Sequence, residues 1–234
     1  MNRLKIFPAI VSRDGHHLQQ LEEIKKLRIK EICLFPNCLE LQERKNLYQL
    51  LEKSSVETIP LVHLRNNMEL WELEYFVEHY QTRFFNIHSP SKDQIKYPLL
   101  YDWSKYKKQI YIESGSASPL KEEEIQNYAG ICLDFSHLED DRIAKPRNYQ
   151  NNIKFIEKYH VICGHVSAIK KKKIVDNRAT RASYDVHYFQ ELSEFNYLKN
   201  YPREYFPEVT ALELENPIGE QLKAKEYIEK LLQI

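Results

Sequence analysis

The sequence predicts an α/β fold, a single (β/α)8 TIM barrel that spans residues 1–234. Short apolar runs recur eight times along the chain, and amphipathic stretches separate them. Nearly continuous apolar runs are typical of parallel strands that are covered on both faces. The composition does not change along the chain, and a barrel of about 250 residues is an ordinary single domain. The competing fold is a doubly wound open sheet, which usually has fewer strands and a glycine-rich first turn.

The eight predicted strands are rich in Ile, Val, Leu, Phe and Cys. In chain order they are Ile6–Val11, Glu31–Phe35, Ile59–Leu64, Phe84–Ile87, Ile110–Ile112, Gly130–Leu133, Val161–Cys163 and Thr210–Leu214. The turn after the first run, Ser12-Arg13-Asp14-Gly15, is not glycine-rich, and this favours the barrel over the open sheet.

The stretches between these runs predict helices. Leu18–Leu27 places apolar residues at three-residue intervals with charged residues between them, which is a helical period. Pro119, followed by three acidic residues from Glu122, is typical of a helix start. Further helices are predicted at Leu39–Leu51, Met68–Tyr80 and Gln221–Leu232. The last crossover contains a long segment, Ser183–Tyr205, and such insertions often serve an active site.

The composition restricts the class of partner and the location. Lys+Arg and Asp+Glu both number 34, so a protein that neutralises many DNA phosphates is not expected. The sequence has neither a membrane-length apolar run nor a signal-peptide pattern. The four cysteines form no zinc-type pair, and we interpret them as reduced and mostly buried. Together these features predict a cytoplasmic protein, and they leave its oligomeric state open. The neutral charge argues against general DNA binding but not against a small phosphodiester substrate.

Histidines and carboxylates follow six consecutive predicted strands. The C-terminal ends of barrel strands share one rim, where active sites lie, so these side chains are expected to meet. They are His63, His88, Glu113, Asp134 with His137, His165, and Glu213 with Glu215. Several buried carboxylates are costly unless cations compensate them. The rim is therefore predicted to bind divalent metal.

Four segments resemble the xylose isomerase-like superfamily, which includes sugar isomerases and epimerases and the family 2 AP endonucleases of the endonuclease IV type. The segments are Ile112-Glu113-Ser114, Gly130 to His137 with its Asp-x-x-His pattern, Gly164-His165-Val166, and Leu212 to Pro217. The resemblance extends from about Ile59 to Pro217, and the first two strands match only in outline.

The resemblance implies a set of metal ligands. In the isomerases four ligands hold one metal, and they match Glu113, Asp134, His165 and Glu213. The three-zinc cluster of the endonuclease type adds ligands that match His63, His88, His137, Asp185 and His187. The chain departs from the endonucleases in lacking the Gly-Glu-Gly that often follows Asp-x-His and in being shorter.

The number of metal ions in the site distinguishes the functions that the resemblance implies. A multinuclear zinc site would hydrolyse a phosphate ester or phosphodiester, and the extra histidines favour this reading. A single metal would support a sugar or sugar-phosphate isomerase or epimerase, with Glu113 and Glu213 as catalytic carboxylates. The third alternative is a barrel that binds a metal or ligand without catalysis. Zinc is the expected metal, with manganese, magnesium or iron as alternatives.

A run of four lysines follows the seventh predicted strand. Barrels often bind phosphate near the loops after strands 7 and 8, so the run suggests phosphate binding, although such runs are more often solvated loops. The candidate substrate-binding residues are Lys170, Lys171, Arg178, Arg181 and Glu215.

Overall fold

The computed structural model describes residues 4–88, 100–115, 120–175 and 182–234, and its centre is a parallel sheet of nine strands. In sheet order the strands are β1 (Lys5–Phe7), β11 (Val209–Leu212), β8 (Val161–Val166), β7 (Ile131–Asp134), β6 (Ile110–Glu113), β5 (Phe84–His88), β4 (Leu61–His63), β3 (Cys33–Phe35) and β2 (Ala9–Val11). The two ends of this sheet, β1 and β2, are consecutive in the chain. The sheet therefore curls into a near-closed barrel, as predicted.

Pro8 divides the predicted first strand into two. Proline has no backbone N–H to donate to a sheet, and the chain changes partners on either side of it. Lys5 pairs with Val209 of β11, whereas Ala9 pairs with Cys33 of β3. The Pro8 carbonyl still accepts a hydrogen bond from the Cys33 N–H at 3.0 Å. One predicted strand thus supplies both sides of the seam that closes the barrel.

Helices cover the outside of the barrel. They are α1 (His16–Leu27), α2 (Leu41–Glu52), α3 (Leu70–Tyr80), α4 (Glu122–Asn127), α5 (Phe135–Ala144), α6 (Pro146–Lys158) and α7 (Ile218–Leu232). The α2 and α3 helices begin two residues later than predicted because capping boxes fix their starts, Glu40 with Glu43 and Glu69 with Glu72. Pro119 lies outside the described residues. Among those residues, no helix has the length and apolar character that a membrane span needs.

The inside of the barrel is apolar below its C-terminal rim. Phe7, Phe35 and Leu61 pack there with three cysteines, Cys33, Cys132 and Cys163. Burial raises the pKa values of the Cys33 and Cys132 thiols, so both remain protonated and pack as small apolar groups. Cys38 is exposed. The polar site at the rim thus lies above the apolar interior of the barrel.

The segment after β8 contains two paired strands that form a β-hairpin. It is not the solvated loop that was one of the two interpretations of the lysine run. β9 (Ala168–Val175) and β10 (Ala182–Val186) pair antiparallel, and the lysine run lies within β9. Two 3-10 segments follow, at Leu192–Asn200 and Arg203–Tyr205. The described part of the last crossover therefore contains regular secondary structure, and β10 carries Asp185 to the rim.

Candidate metal site

The C-terminal strand ends bring the predicted ligands together. His63, His88, Glu113 and Asp134 are the last residues of β4, β5, β6 and β7. The strand register pairs His88 with Glu113 and Asp134 with His165. Glu213 follows β11 directly, and its N–H donates to the Val166 carbonyl at 3.0 Å. The parallel register is thus what assembles these side chains.

Glu113 lies at the centre of the site and is almost completely buried. Its Oε2 atom is 2.8 Å from His63 Nε2 and 3.4 Å from His165 Nε2, and its Oε1 atom is 3.2 Å from His88 Nε2. Asn86 Nδ2 donates to Oε2 at 2.8 Å. Burial alone would raise the pKa of Glu113, but His88, His165 and His63 together hold it well below its usual value. Glu113 is therefore a carboxylate.

His165 connects Glu113 to the other side of the site. Its Nδ1 atom is 2.9 Å from Glu213 Oε2 and 3.4 Å from Asp134 Oδ2, and Phe35 packs edge-on against its ring. Burial lowers the pKa of His165, but Glu113, Asp134 and Glu213 more than offset this and raise it well above 6.5. Burial also opposes ionisation of Glu213, yet His187 and His165 lower its pKa to about 2.

The hairpin brings a further group to the site. Asp185 Oδ2 is 2.8 Å from His137 Nδ1, and His137 Nε2 is 3.3 Å from Asp134 Oδ2. The contacts of His187 with its neighbours are longer than that of Asp185 with His137. The His187 Nδ1 atom is 3.7 Å from Glu213 Oε1, and the His187 ring centroid is 6.5 Å from that of His137. Burial lowers the pKa of His137, but Asp134 and Asp185 outweigh burial and raise it to about 10.

The donor atoms of these residues are arranged so that they could hold a metal ion. Within the described part of the chain, two groups of three bring one ligand atom each to within 4.8 Å of one another. One is His63, His88 and Glu113, and the other is Glu113, Asp134 and His165. Several buried donor atoms lack a well-directed hydrogen bond, namely both ring nitrogens of His165, His137 Nδ1, Asp134 Oδ2 and Asp185 Oδ1. Buried polar atoms without partners are costly, and a cation would satisfy these.

The predicted substrate residues lie in different surroundings. Lys170 is ion-paired with Glu194 at 2.7 Å, and Lys171 is exposed on β9. Glu215 meets Arg13 at 3.4 Å and His16 at 3.8 Å. Arg178 and Arg181 lie outside the described residues.

Sequence reasoning missed two residues that orient the ligands. Ser136 donates to Asp134 Oδ1 at 2.5 Å, and Asn86 holds Glu113. A serine two residues after an aspartate is common, and so is an asparagine inside a strand. Neither residue carried a signal of its own, although each lies within two residues of a predicted ligand.

Comparisons with known proteins support the fold. No family model matches the chain, and no curated protein matches it. The crystal structure of an uncharacterized B. cereus protein has a TM-score of 0.50 at 9% identity, covering 100% of this chain, which spans 65% of that protein. At this identity the likeness concerns the fold alone.

Two further solved structures are less similar. The probable 3-DHS dehydratase AsbF from Bacillus anthracis, involved in petrobactin synthesis, has a TM-score of 0.46 at 10% identity, with 97% of each chain covered. A putative uncharacterized protein from Parabacteroides distasonis has a TM-score of 0.45 at 14% identity, with 96% of this chain and 98% of that chain covered. The strand topology and the site themselves define the class of protein as an α/β barrel with buried residues that could hold a metal ion.

Proposed function

We propose that this protein is a metal-dependent hydrolase of the xylose isomerase-like superfamily that cleaves a small phosphate ester or phosphodiester at a multinuclear zinc site of the endonuclease IV kind. One observation carries the proposal: Glu113 belongs to both groups of close ligand atoms. A carboxylate that two groups share can bridge two ions, and paired ions about 4 Å apart are typical of phosphoester hydrolysis. The substrate is expected to be small, and the location cytoplasmic.

Nine residues would hold the ions. His63, His88 and Glu113 form one group, and Glu113 with Asp134, His165 and Glu213 forms the second. His137, Asp185 and His187 are proposed as the third. Five imidazoles favour zinc over magnesium, which prefers oxygen ligands, and manganese and iron remain alternatives. When bound, the ions would activate water and stabilise charge on the phosphoryl oxygens.

The protein's own groups prepare the site for an in-line displacement. In the reaction a water oxygen bonds to phosphorus, the ester P–O bond breaks, and the departing alcohol takes up a proton. Glu113 and Glu213 are the proposed catalytic carboxylates. With its pKa lowered to about 2, Glu213 is ionised at neutral pH, so it can hold a cation or orient the attacking water by accepting a hydrogen bond from it. Asn86 donates a hydrogen bond to Glu113, and Ser136 donates one to Asp134, so both carboxylates are held in position.

Metal content and hydrolysis test the proposal together. We expect two or three zinc ions per purified chain, measured by elemental analysis, and hydrolysis of bis(4-nitrophenyl) phosphate. The variant His63→Ala/His88→Ala should lose part of the metal and most of the activity, whereas His79→Ala, on α3, should change neither. One manganese or magnesium ion per chain without hydrolysis would contradict the proposal.

A mononuclear sugar or sugar-phosphate isomerase or epimerase is the second candidate. It is favoured by the burial of Glu113, Asp134, His165 and Glu213, which are at most 9% exposed, whereas the His88 side chain is 31% exposed. Single-metal content combined with sugar interconversion would select this function. A folded protein that takes up no metal would select a non-catalytic binding barrel.

A further inference from the structure

A buried tyrosine of the last crossover is connected by hydrogen bonds to the proposed ligand Asp134. Tyr197 belongs to the 3-10 segment Leu192–Asn200, and only 7% of its surface is exposed. We infer that Tyr197 is a positioning residue that orients Asp134 through Ser167 and the hydroxyl of Ser136. The inference rests on the metal site of the proposed function, and it gives the long last crossover a further role in metal binding.

Three hydrogen bonds make this connection. The Tyr197 hydroxyl is 3.0 Å from the Ser167 carbonyl oxygen, and Ser167 Oγ is 2.7 Å from Ser136 Oγ. Ser136 Oγ is in turn 2.5 Å from Asp134 Oδ1. All four residues are buried. A buried polar atom that loses its partner is costly, so each hydrogen bond restrains the residues that it joins.

The two ends of this connection fix the direction of every hydrogen bond in it. Carboxylate and carbonyl oxygens accept, so Ser136 donates to Asp134 and Tyr197 donates to Ser167. The Ser136 hydroxyl has a single hydrogen, so its oxygen accepts from the Ser167 hydroxyl. Burial and three nearby carboxylates, Asp134 among them, raise the pKa of Tyr197 well above 10, so the phenol remains a donor. The connection therefore has one arrangement, and that arrangement holds Asp134 Oδ1.

The segment that carries Tyr197 is itself anchored to the rest of the protein. Glu194 Oε2 is 2.7 Å from Lys170 Nζ on β9, and both side chains are nearly buried. Phe195 and Leu198 are fully buried in the same apolar cluster as Tyr197. The Tyr197 side chain is therefore held by packing as well as by its hydrogen bond. A supporting residue that is fixed in this way can keep a metal ligand in one orientation.

Tyr201, directly after the same segment, offers a matched comparison. Its hydroxyl donates to Glu139 Oε2 at 2.8 Å, and the residue is as deeply buried as Tyr197. Glu139 is also ion-paired with Arg142 and is not one of the proposed ligands. Tyr201→Phe therefore removes a buried tyrosine hydroxyl of the same kind and leaves the connection to Asp134 in place.

Zinc affinity and the spectrum of a bound ion test the inference. We expect Tyr197→Phe to weaken zinc binding about fivefold in competition against a chelator, less than the loss of a direct partner of a ligand typically causes. In the cobalt(II)-loaded protein, the same substitution should change the visible absorption spectrum, which reports the geometry of the ligands. Tyr201→Phe should lower the urea midpoint about as much as Tyr197→Phe does, and it should change neither the zinc affinity nor the spectrum.

Further variants show whether Tyr197 acts through the serines. Ser167→Ala, which breaks the connection at its middle, should weaken zinc binding at least as much as Tyr197→Phe. In a Ser136→Ala background the connection is already broken, so adding Tyr197→Phe should cause no further loss of zinc affinity.

Three results would overturn the inference: wild-type affinity and spectrum in a folded Tyr197→Phe variant, equal effects of Tyr197→Phe and Tyr201→Phe, or independent losses in the double variant. Hydrolysis separates the inference from the proposed function. If the variants behave as expected but the zinc-loaded wild type does not hydrolyse bis(4-nitrophenyl) phosphate, the proposed hydrolase fails and the inference stands. If the wild type hydrolyses it and Tyr197→Phe keeps the wild-type zinc affinity, the inference fails and the hydrolase stands.

Discussion

At the scale of single residues, Asp134 shows how the fold gives the two oxygens of a proposed metal ligand different surroundings. Its Oδ1 accepts hydrogen bonds from the Ser136 hydroxyl at 2.5 Å and from the His137 N–H at 2.8 Å. Ser167 in turn donates to Ser136 at 2.7 Å. Oδ2 has no hydrogen-bond partner in the described structure. Oδ1 of Asp134 thus fixes the side chain in position, and Oδ2 faces the site.

Removing the Ser136 hydroxyl should loosen this arrangement. We expect Ser136→Ala to weaken metal binding about 10- to 100-fold, a common loss when a group that orients a ligand is removed. Competition against a chelator measures the affinity. Ser136→Thr, which keeps the hydroxyl, should restore most of it, and Ser193→Ala on the surface is the control. Wild-type affinity in a folded Ser136→Ala variant would show that Asp134 does not need this hydrogen bond.

At the scale of elements, α5 is unusual because its buried face carries acids. Asp141 is fully buried, its Oδ2 has no hydrogen-bond partner, and Lys145 lies 3.3 Å from Oδ1. Burial, which Lys145 offsets only in part, raises the pKa of Asp141 to about 6. Between about pH 4 and pH 6 the folded state therefore holds a proton that the unfolded state has released. Stability due to this group is present at low pH and is lost as the pH rises through 6.

Replacing the Asp141 carboxylate with an amide should remove this pH dependence. We expect Asp141→Asn to raise the free energy of unfolding at pH 7.5 by about 1 kcal/mol and to change it little at pH 4. Urea unfolding at both pH values measures the difference, and Glu123→Gln, on the exposed side of α4, is the control. A variant that is destabilised at pH 7.5 would contradict the assignment.

The α2 and α3 helices are joined by a buried ion pair. Arg44 contacts both carboxylate oxygens of Glu72, at 2.7 and 2.8 Å, and the Tyr48 hydroxyl donates to Glu72 at 2.6 Å. Arg44 also donates to the Leu39 carbonyl at 2.9 Å in the rim loop after β3. The pair therefore supports the helix packing and the rim together.

Breaking one side of this pair should be costly. We expect Arg44→Met to destabilise the protein by about 3–5 kcal/mol, because it leaves Glu72 charged and buried without its partner. Arg44→Met/Glu72→Gln should recover most of the loss, since glutamine removes the charge and keeps an acceptor. Lys105→Met, from the exposed Lys105–Glu74 pair, should change stability by less than about 0.5 kcal/mol. Denaturant unfolding distinguishes these outcomes, and equal stability of the single and double variants would contradict the argument.

At the scale of the whole molecule, the barrel and the ligand-bearing strand ends could be predicted from the sequence. Buried parallel strands leave continuous apolar runs, and the residue after each run reaches a common rim. The hairpin could not be predicted in this way, because half of the β9 residues are exposed and its run of lysines is typical of a solvated loop.

The seam at Pro8 affects the order in which the barrel forms during synthesis. Closure requires residues 5–7 to find residues 209–211, which are separated by almost the entire chain. Contacts of such long range form late, because loop-closure entropy must be overcome first. Glu213 follows the same C-terminal strand. During synthesis, the ring of strands and the set of proposed metal ligands therefore remain incomplete until residues 209–213 have been made, because β11 closes the ring and Glu213 follows it directly.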